Sequence, residues 1–353
     1  MPGDPDVIII GAGVIGCATA WELARRGVSV RVFDARSIGA GATQASAGVL
    51  APYTEAEEGS PLFEMSVRSL GMYDRFAQDV AADSGIAIEY RRVGSLEVAI
   101  DDESAERLRQ QVLASSSGVL RWLDAESVRA EQPTLAPVRG GVLVPVHGYV
   151  DAPVLTEALA WAAMQHDAQI ETGRRVEHVA AGDGHVTVTT AEGAAWTAET
   201  LVVAAGSWSS DRAFGAISAA ESIYPIRGQL VRLALPGLPL SRIIWGPDCY
   251  IVPRAKGLVL VGATVEDVGF DERTTAAGVR DLLEAACELL PELWRASFVD
   301  ARVGLRPATA SGLPVIERAP AHSNVIYATG HFRNGVLLAP LTAQLVADLV
   351  TKK

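Results

Sequence analysis

The sequence predicts an α/β protein in which a doubly wound nucleotide-binding domain is interleaved with an α+β domain built on an antiparallel sheet. Three observations predict it. A strand, a glycine-rich turn, a helix and a second strand occupy the first 34 residues. Two further apolar strands that run into glycine, at 201–206 and 325–330, recur in the middle and at the end of the chain. Between these α/β signals lie two stretches whose apolar residues alternate with period two, as half-buried strands do. The 353 residues suffice for two domains and a large core.

Asp6-Val7-Ile8-Ile9-Ile10 reads as a short buried strand, and Gly11-Ala12-Gly13-Val14-Ile15-Gly16 follows it directly. A helical run reaches Arg26, and a strand through Val30, Val32 and Phe33 ends at Asp34. This is the order of a dinucleotide-binding unit. Gly11 allows the tight turn, Gly13 lets the backbone approach a pyrophosphate, and Gly16 lets the helix pack on the strand. The helix N-terminus offers free N–H groups and the positive end of its dipole to phosphate. Asp34 follows Gly11 by 23 residues, the placement of an acid that accepts hydrogen bonds from a ribose.

The small residues from Gly39 to Gly48 suit a close approach of backbone to ligand. The acidic run 55–58 reads as a mobile surface loop. Ser60-Pro61 opens a helix with an apolar stripe of Phe63, Val67, Leu70, Tyr73 and Val80. Alternation over 93–100 predicts a half-buried strand, and 229–235, 249–254 and 258–263 predict others. Asp151 caps a helix that runs to about residue 165 with Pro153 in its first turn. Residues 186–190 alternate, and a last helix spans about 335 or 337 to 350. The nucleotide domain is thus expected from 1–84, 146–211 and 301–353, and the second domain from 85–145 and 212–300.

The net charge of -12, without a basic cluster, argues against nucleic acid and anionic membrane surfaces as partners. The cysteines Cys17, Cys249 and Cys287 are far apart and show no zinc spacing, which fits a reducing compartment. Residues 1–6 lack a basic signal-peptide region, and no run approaches the about 20 apolar residues of a membrane helix. A cytoplasmic protein is therefore expected, and self-association into a homo-oligomer is compatible with the sequence.

The late strand–glycine segment favours FAD over NAD. An extended FAD needs a second backbone platform at its flavin end. Gly330-His331-Phe332-Arg333-Asn334-Gly335-Val336 offers one between a strand and a helix whose N-terminus can face the flavin N1–C2=O edge. An NAD-dependent dehydrogenase is disfavoured for the same reason.

These motifs, with Gly304-Leu305-Arg306-Pro307, resemble the D-amino-acid oxidase superfamily of flavoenzymes over nearly the whole chain. The continuation Val336-Leu337-Leu338-Ala339-Pro340 is most similar to the bacterial glycine oxidases of thiazole biosynthesis. The resemblance implies noncovalent FAD in a glutathione-reductase-like Rossmann domain. It also implies oxidation of glycine, sarcosine, D-alanine or a similar small amine to an imine, with molecular oxygen as acceptor and hydrogen peroxide as product. A D-amino-acid dehydrogenase with another acceptor, or a flavoprotein that has lost catalysis, remains open.

A substrate carboxylate in a dry pocket calls for arginine's planar fork, and Arg306 between Gly304 and Pro307 sits where a strand end would fix it. By resemblance Arg306 binds the carboxylate and the Tyr250 hydroxyl supports it. Arg333 either binds substrate or pairs with an acid at the domain boundary. His331 reads as a packing residue rather than an acid–base group. The resemblance carries cofactor contacts onto Gly11, Gly13, Gly16, Asp34, Thr43, Gln44, Ser46, Val176, Ala205, Gly206, Trp208, Gly330, His331, Arg333, Asn334, Gly335 and Val336. It places Val265 on the amine side of the pocket. No cysteine follows Cys287, so the late cysteine tether of sarcosine-oxidase relatives is absent, and Cys249 reads as packing. No side chain stands out as the base that takes the amine proton.

Overall fold

Strand Val7–Ile10 is apolar at every residue because it lies inside a sheet covered on both faces. Our computed structural model describes residues 4–182, 184–211, 214 and 217–352. Residues 1–3, read above for a signal peptide, and residue 212, where the second domain is expected to resume, lie outside them. Val7–Ile10 pairs in parallel with Thr200–Val203 on one side and Val30–Asp34 on the other. His322–Thr329 and Gln169–Thr172 extend the parallel set, and Val315–Ala319 closes one edge antiparallel. The three strands expected to share a sheet across the chain are thus direct neighbours.

Helices Val14–Arg25, Pro61–Ser84, Ala152–Gln165 and Gly335–Thr351 cover one face. Their contacting positions are small, with Ala18, Ala20, Ala158, Ala162, Ala339 and Ala343 buried. Small side chains let the helices approach closely around Trp21, Leu155 and Leu159, each worth about 1.5–3 kcal/mol of burial. Ser60 caps its helix by accepting the Phe63 N–H, and Asp151 does the same for Val154. The opposite face is covered by a three-stranded meander, Val176–Gly182, His185–Thr190 and Ala195–Ala198.

The second sheet has eight strands in the order Ser297–Ala308, Tyr224–Ala234, Leu258–Gly262, Tyr250–Pro253, Ile243–Trp245, Ser95–Ala99, Gly140–Val144 and Arg121–Asp124. All pairings are antiparallel except Ile243–Trp245 with Ser95–Ala99, the seam where the two distant stretches of sequence meet. Ser95–Ala99 departs from the half-buried expectation. Leu96 and Val98 face the core under helix Ala276–Leu289, while Ala99 is covered by helix Asp102–Ala114.

Among the described residues no helix is long and apolar enough to cross a membrane, and no group of three or more His, Cys, Asp or Glu side chains could hold a metal ion.

Candidate active site

A cavity of about 760 Å³ runs from the carboxyl ends of the parallel strands to the face of the eight-stranded sheet. Its volume lies in the upper part of the usual ligand-pocket range, about 300–1,000 Å³, and the carboxyl ends of parallel strands are where open α/β sheets bind ligands.

The nucleotide end is shaped by three glycines. Gly11 has φ +109°, and a Cβ there would overlap Ala204 O. A Cβ on Gly16 would overlap Gly11 O, so only glycine lets the helix sit against the turn. Gly13 faces the cavity, where a Cβ would meet only Thr43 Oγ1 at 3.6 Å. Helix Val14–Arg25 therefore begins without a side-chain cap and with no acid in its first turn. The Val14 N–H donates to Thr43 Oγ1 at 3.2 Å, which fixes the small-residue loop over the turn.

Asp34 lines the cavity and accepts the Ala12 N–H at 2.6 Å and the Arg36 N–H at 2.7 Å, one on each carboxylate oxygen. Burial pushes its pKa up against these two bonds. Ser46, Val176, Ala205, Gly206 and Trp208 also line the cavity. Arg36 stacks over the Trp208 ring at 4.4 Å and makes two 2.8 Å bonds to Glu272. Phe270 packs on Trp208 with ring centroids 5.7 Å apart. The loop after Leu258–Gly262 thus reaches from the second sheet onto the nucleotide end, which no motif announced.

Two expected contacts lie elsewhere. Gln44 is exposed and donates to Ala40 O, because its side chain leaves the short turn on the side away from the cavity. Gly330 sits behind the lining at φ +75°, turning the chain where a Cβ would press on Thr309 Cγ2.

The far end of the cavity is built by His331, Arg333, Asn334, Gly335 and Val336 together with Tyr250 and Arg306. Helix Gly335–Thr351 also starts without a side-chain cap and without an acid in its first turn. His331 is buried and bonded to Thr342 Oγ1 at 2.9 Å, and burial lowers its pKa to about 3. The ring is neutral and held against the last helix at the cavity wall.

Arg306 and Tyr250 both lie over glycine. Arg306 pairs with Ile226 across the strands, and its guanidinium rests where a Cβ of Gly228 would be. Tyr250 faces Gly262, and its ring and hydroxyl occupy the space of the missing Cβ. Thr264 O at 2.9 Å and Arg227 O at 3.3 Å hold Nη1 of Arg306. Its Nε and Nη2, and the Tyr250 hydroxyl, have no protein partner among the described residues. Burial raises the Tyr250 pKa, and the Arg306 and Arg333 charges oppose that rise.

Of the acidic run 55–58, Glu57 and Glu58 lie exposed after the helix end, but Glu55 does not belong to a surface loop. Glu55 ends the short helix Pro52–Glu55 and points into the cavity. It binds Arg333 through two bonds, Oε2 to Nε at 2.9 Å and Oε1 to Nη2 at 3.0 Å. Burial pushes its pKa up while Arg333, and then Arg306, pull it down. The helix is held by His147, whose Nε2 accepts the Tyr53 N–H at 3.2 Å while Nδ1 contacts Ser95 Oγ at 2.7 Å. Glu58 is tied down as well, accepting from Ser115 and Ser116. Val265 also departs from expectation: it is 58% exposed and outside the cavity lining. Cys17, Cys249 and Cys287 are buried, and none lines the cavity.

Two uncapped helix N-termini therefore open onto opposite ends of one elongated cavity, one beside a glycine turn and one beside a carboxylate-matching arginine. That fits a molecule with an internal pyrophosphate and, at one end, a ring system gathering negative charge, as FAD has. The sequence profile of the DAO family, described as FAD dependent oxidoreductase, matches residues 6–349. The chain belongs to this family of FAD-dependent oxidoreductases. Among members of the family, it is 35% identical to the glycine oxidase of Geobacillus kaustophilus (strain HTA426), covering 99% of this chain and 93% of that one. The crystal structure of glycine oxidase from Geobacillus kaustophilus superposes with a TM-score of 0.93 at 33% identity, over 99% of this chain and 95% of that one. The bifunctional protein ThiO/ThiG of Synechocystis sp. is 34% identical over 98% of this chain and 51% of its own length.

Proposed function

We propose that this oxidoreductase binds FAD noncovalently and oxidises glycine or a small relative, such as sarcosine or D-alanine, to its imine. The observation that carries the reading is the open fork of Arg306 beside an unbonded Tyr250 hydroxyl. A planar carboxylate matches that fork with two parallel hydrogen bonds. When bound, FAD would supply a hydride acceptor for the substrate α-carbon and hand the electrons to oxygen, giving hydrogen peroxide.

Gly11, Gly13 and Gly16, with the N-terminus of helix Val14–Arg25, would hold the pyrophosphate. Asp34 would hold a ribose through the lone pairs its backbone bonds leave free. Asn334, Gly335 and Val336 would present the start of helix Gly335–Thr351 to the flavin ring. Arg306 and Tyr250 would fix the carboxylate, so that alignment is the protein's main contribution to rate. No side chain is placed to remove the amine proton. The likeness to a fused ThiO/ThiG protein supports supply of the imine to thiazole synthesis for thiamine.

The test is anaerobic mixing of the yellow holoprotein with glycine, sarcosine and D-alanine, followed by air. Loss of flavin absorbance with one of them, then rapid recovery with peroxide, is the expected result. Loss without recovery in air would make the protein a dehydrogenase with another acceptor. No loss with any of the three would overturn the proposal. Gly228→Ala is also expected to displace the Arg306 guanidinium and weaken carboxylate binding about tenfold, about 1.4 kcal/mol, with flavin content unchanged. Acetate titration of the flavin absorbance checks this, and an unchanged Kd would separate Arg306 from the carboxylate.

A further inference from the structure

Arg333 is the second cation in the cavity, and its fork is already filled. Glu55 approaches it edge-on with two bonds of 2.9 and 3.0 Å, the geometry a substrate carboxylate would use. The Glu55 side chain is only 13% exposed and that of Arg333 33%, so the pair is sheltered on its carboxylate side and meets water on the guanidinium side. Glu55 and Arg333 also line a second cavity of about 420 Å³, together with Thr54, Leu62, Trp245 and Phe332. Its lining otherwise carries no charged side chain. The indole N–H of Trp245 is buried there without a partner among the described residues. Glu55 and Arg333 line both cavities, so the pair stands where the space that holds Arg306 meets this second one.

We infer that Glu55 is a specificity-determining residue: by occupying the Arg333 fork it reserves the site for monocarboxylates with an uncharged far end, and excludes dicarboxylates. A second substrate carboxylate would have to displace Glu55 from Arg333 and leave it buried beside a like charge. Both steps are unfavourable in a sheltered site. With the acid neutralised, Arg333 becomes a free fork of the kind Arg306 presents, and a dicarboxylate can bridge the two arginines. His147 serves this arrangement as a positioning residue, because it anchors the backbone of the helix that carries Glu55.

The inference rests on the carboxylate-binding reading of Arg306, but its test does not need turnover. Two unreactive ethers serve as probes of the holoprotein, methoxyacetate for an uncharged far end and diglycolate for a second carboxylate. Each is titrated against the flavin absorbance of the wild type, Glu55→Gln and Glu55→Asp. The wild type is expected to bind methoxyacetate at least about tenfold more tightly than diglycolate, the size of one charge-assisted hydrogen bond. Glu55→Gln is expected to shift that ratio at least about tenfold toward diglycolate, and Glu55→Asp to stay near the wild type. A ratio that does not move in Glu55→Gln overturns the inference, and so does a wild type that binds diglycolate as well as methoxyacetate or binds neither. If the ratio moves while no amine reduces the flavin, the oxidase proposal fails and the role of Glu55 stands. If amines reduce the flavin and the ratio is fixed, the reverse holds.

Discussion

Arg306→Ala is expected to raise KM for an amino-acid substrate roughly 10–150-fold while the protein stays yellow. The range follows from losing hydrogen bonds to a charged group, about 1.5–3 kcal/mol, converted to an equilibrium ratio. The cofactor should remain because Arg306 stands on the second sheet, while the glycine turn, Asp34 and Trp208 at the nucleotide end are untouched. Removing the guanidinium also frees Thr264 O and Arg227 O, which lose their donor. Arg306→Lys separates the two effects. Lysine keeps a charge and a donor but lacks the planar fork. It should restore stability more fully than it restores KM. Steady-state KM with flavin absorbance as the occupancy control decides the matter. An unchanged KM in Arg306→Ala would remove this residue from the substrate site.

The nucleotide end was legible because its physics is local. Gly11, Gly13 and Gly16 fall within one strand–turn–helix unit and are visible as a spacing in the chain, although Gly11 is also opposed by Ala204 on the neighbouring strand. Arg306 was legible for a related reason, since the residues around it form a contiguous motif. Glu55 was not. An acidic run reads as solvated surface, and the contact that buries Glu55 comes from Arg333, 278 residues away. Gly228 and Gly262 carried a weak signal, because glycine inside a strand pattern marks a close approach. What approaches depends on the register of Tyr224–Ala234 against Ser297–Ala308 and of Leu258–Gly262 against Tyr250–Pro253, which no local pattern reveals. The Arg36–Glu272 clasp was hidden similarly: its partners belong to different sheets. Val265 shows the converse error, a resemblance carried onto a loop that leaves the cavity wall.

Acid is expected to destabilise the protein steeply, by about 4 kcal/mol between pH 7 and pH 5, through two buried histidines. His147 and His331 have pKa values lowered to about 3, in each case chiefly by burial. The imidazole of His331 rests against Thr342 Oγ1, in the turn that begins the last helix. His147 has its Nε2 committed as acceptor to the Tyr53 N–H, so a proton there would face another donor. Folded, both rings resist protonation; unfolded, they take up a proton near pH 6.5. The unfolded state therefore binds more protons as pH falls, and folding stability drops with it. The stabilisation is complete above about pH 6.5 and is lost progressively toward pH 3, at about 1.4 kcal/mol per pH unit for each ring. Unfolded carboxylates titrate near pH 4, while burial raises the folded pKa of Asp34 and Glu55, so the histidine share is read from a variant that lacks one ring. Urea unfolding followed by tryptophan fluorescence, at a fixed saturating FAD concentration, measures the slope. His331→Gln keeps a hydrogen-bonding group toward Thr342 without the titration, and should reduce the slope by about half. Flat stability from pH 7 to pH 5, or an unchanged slope in the variant, would rule this account out.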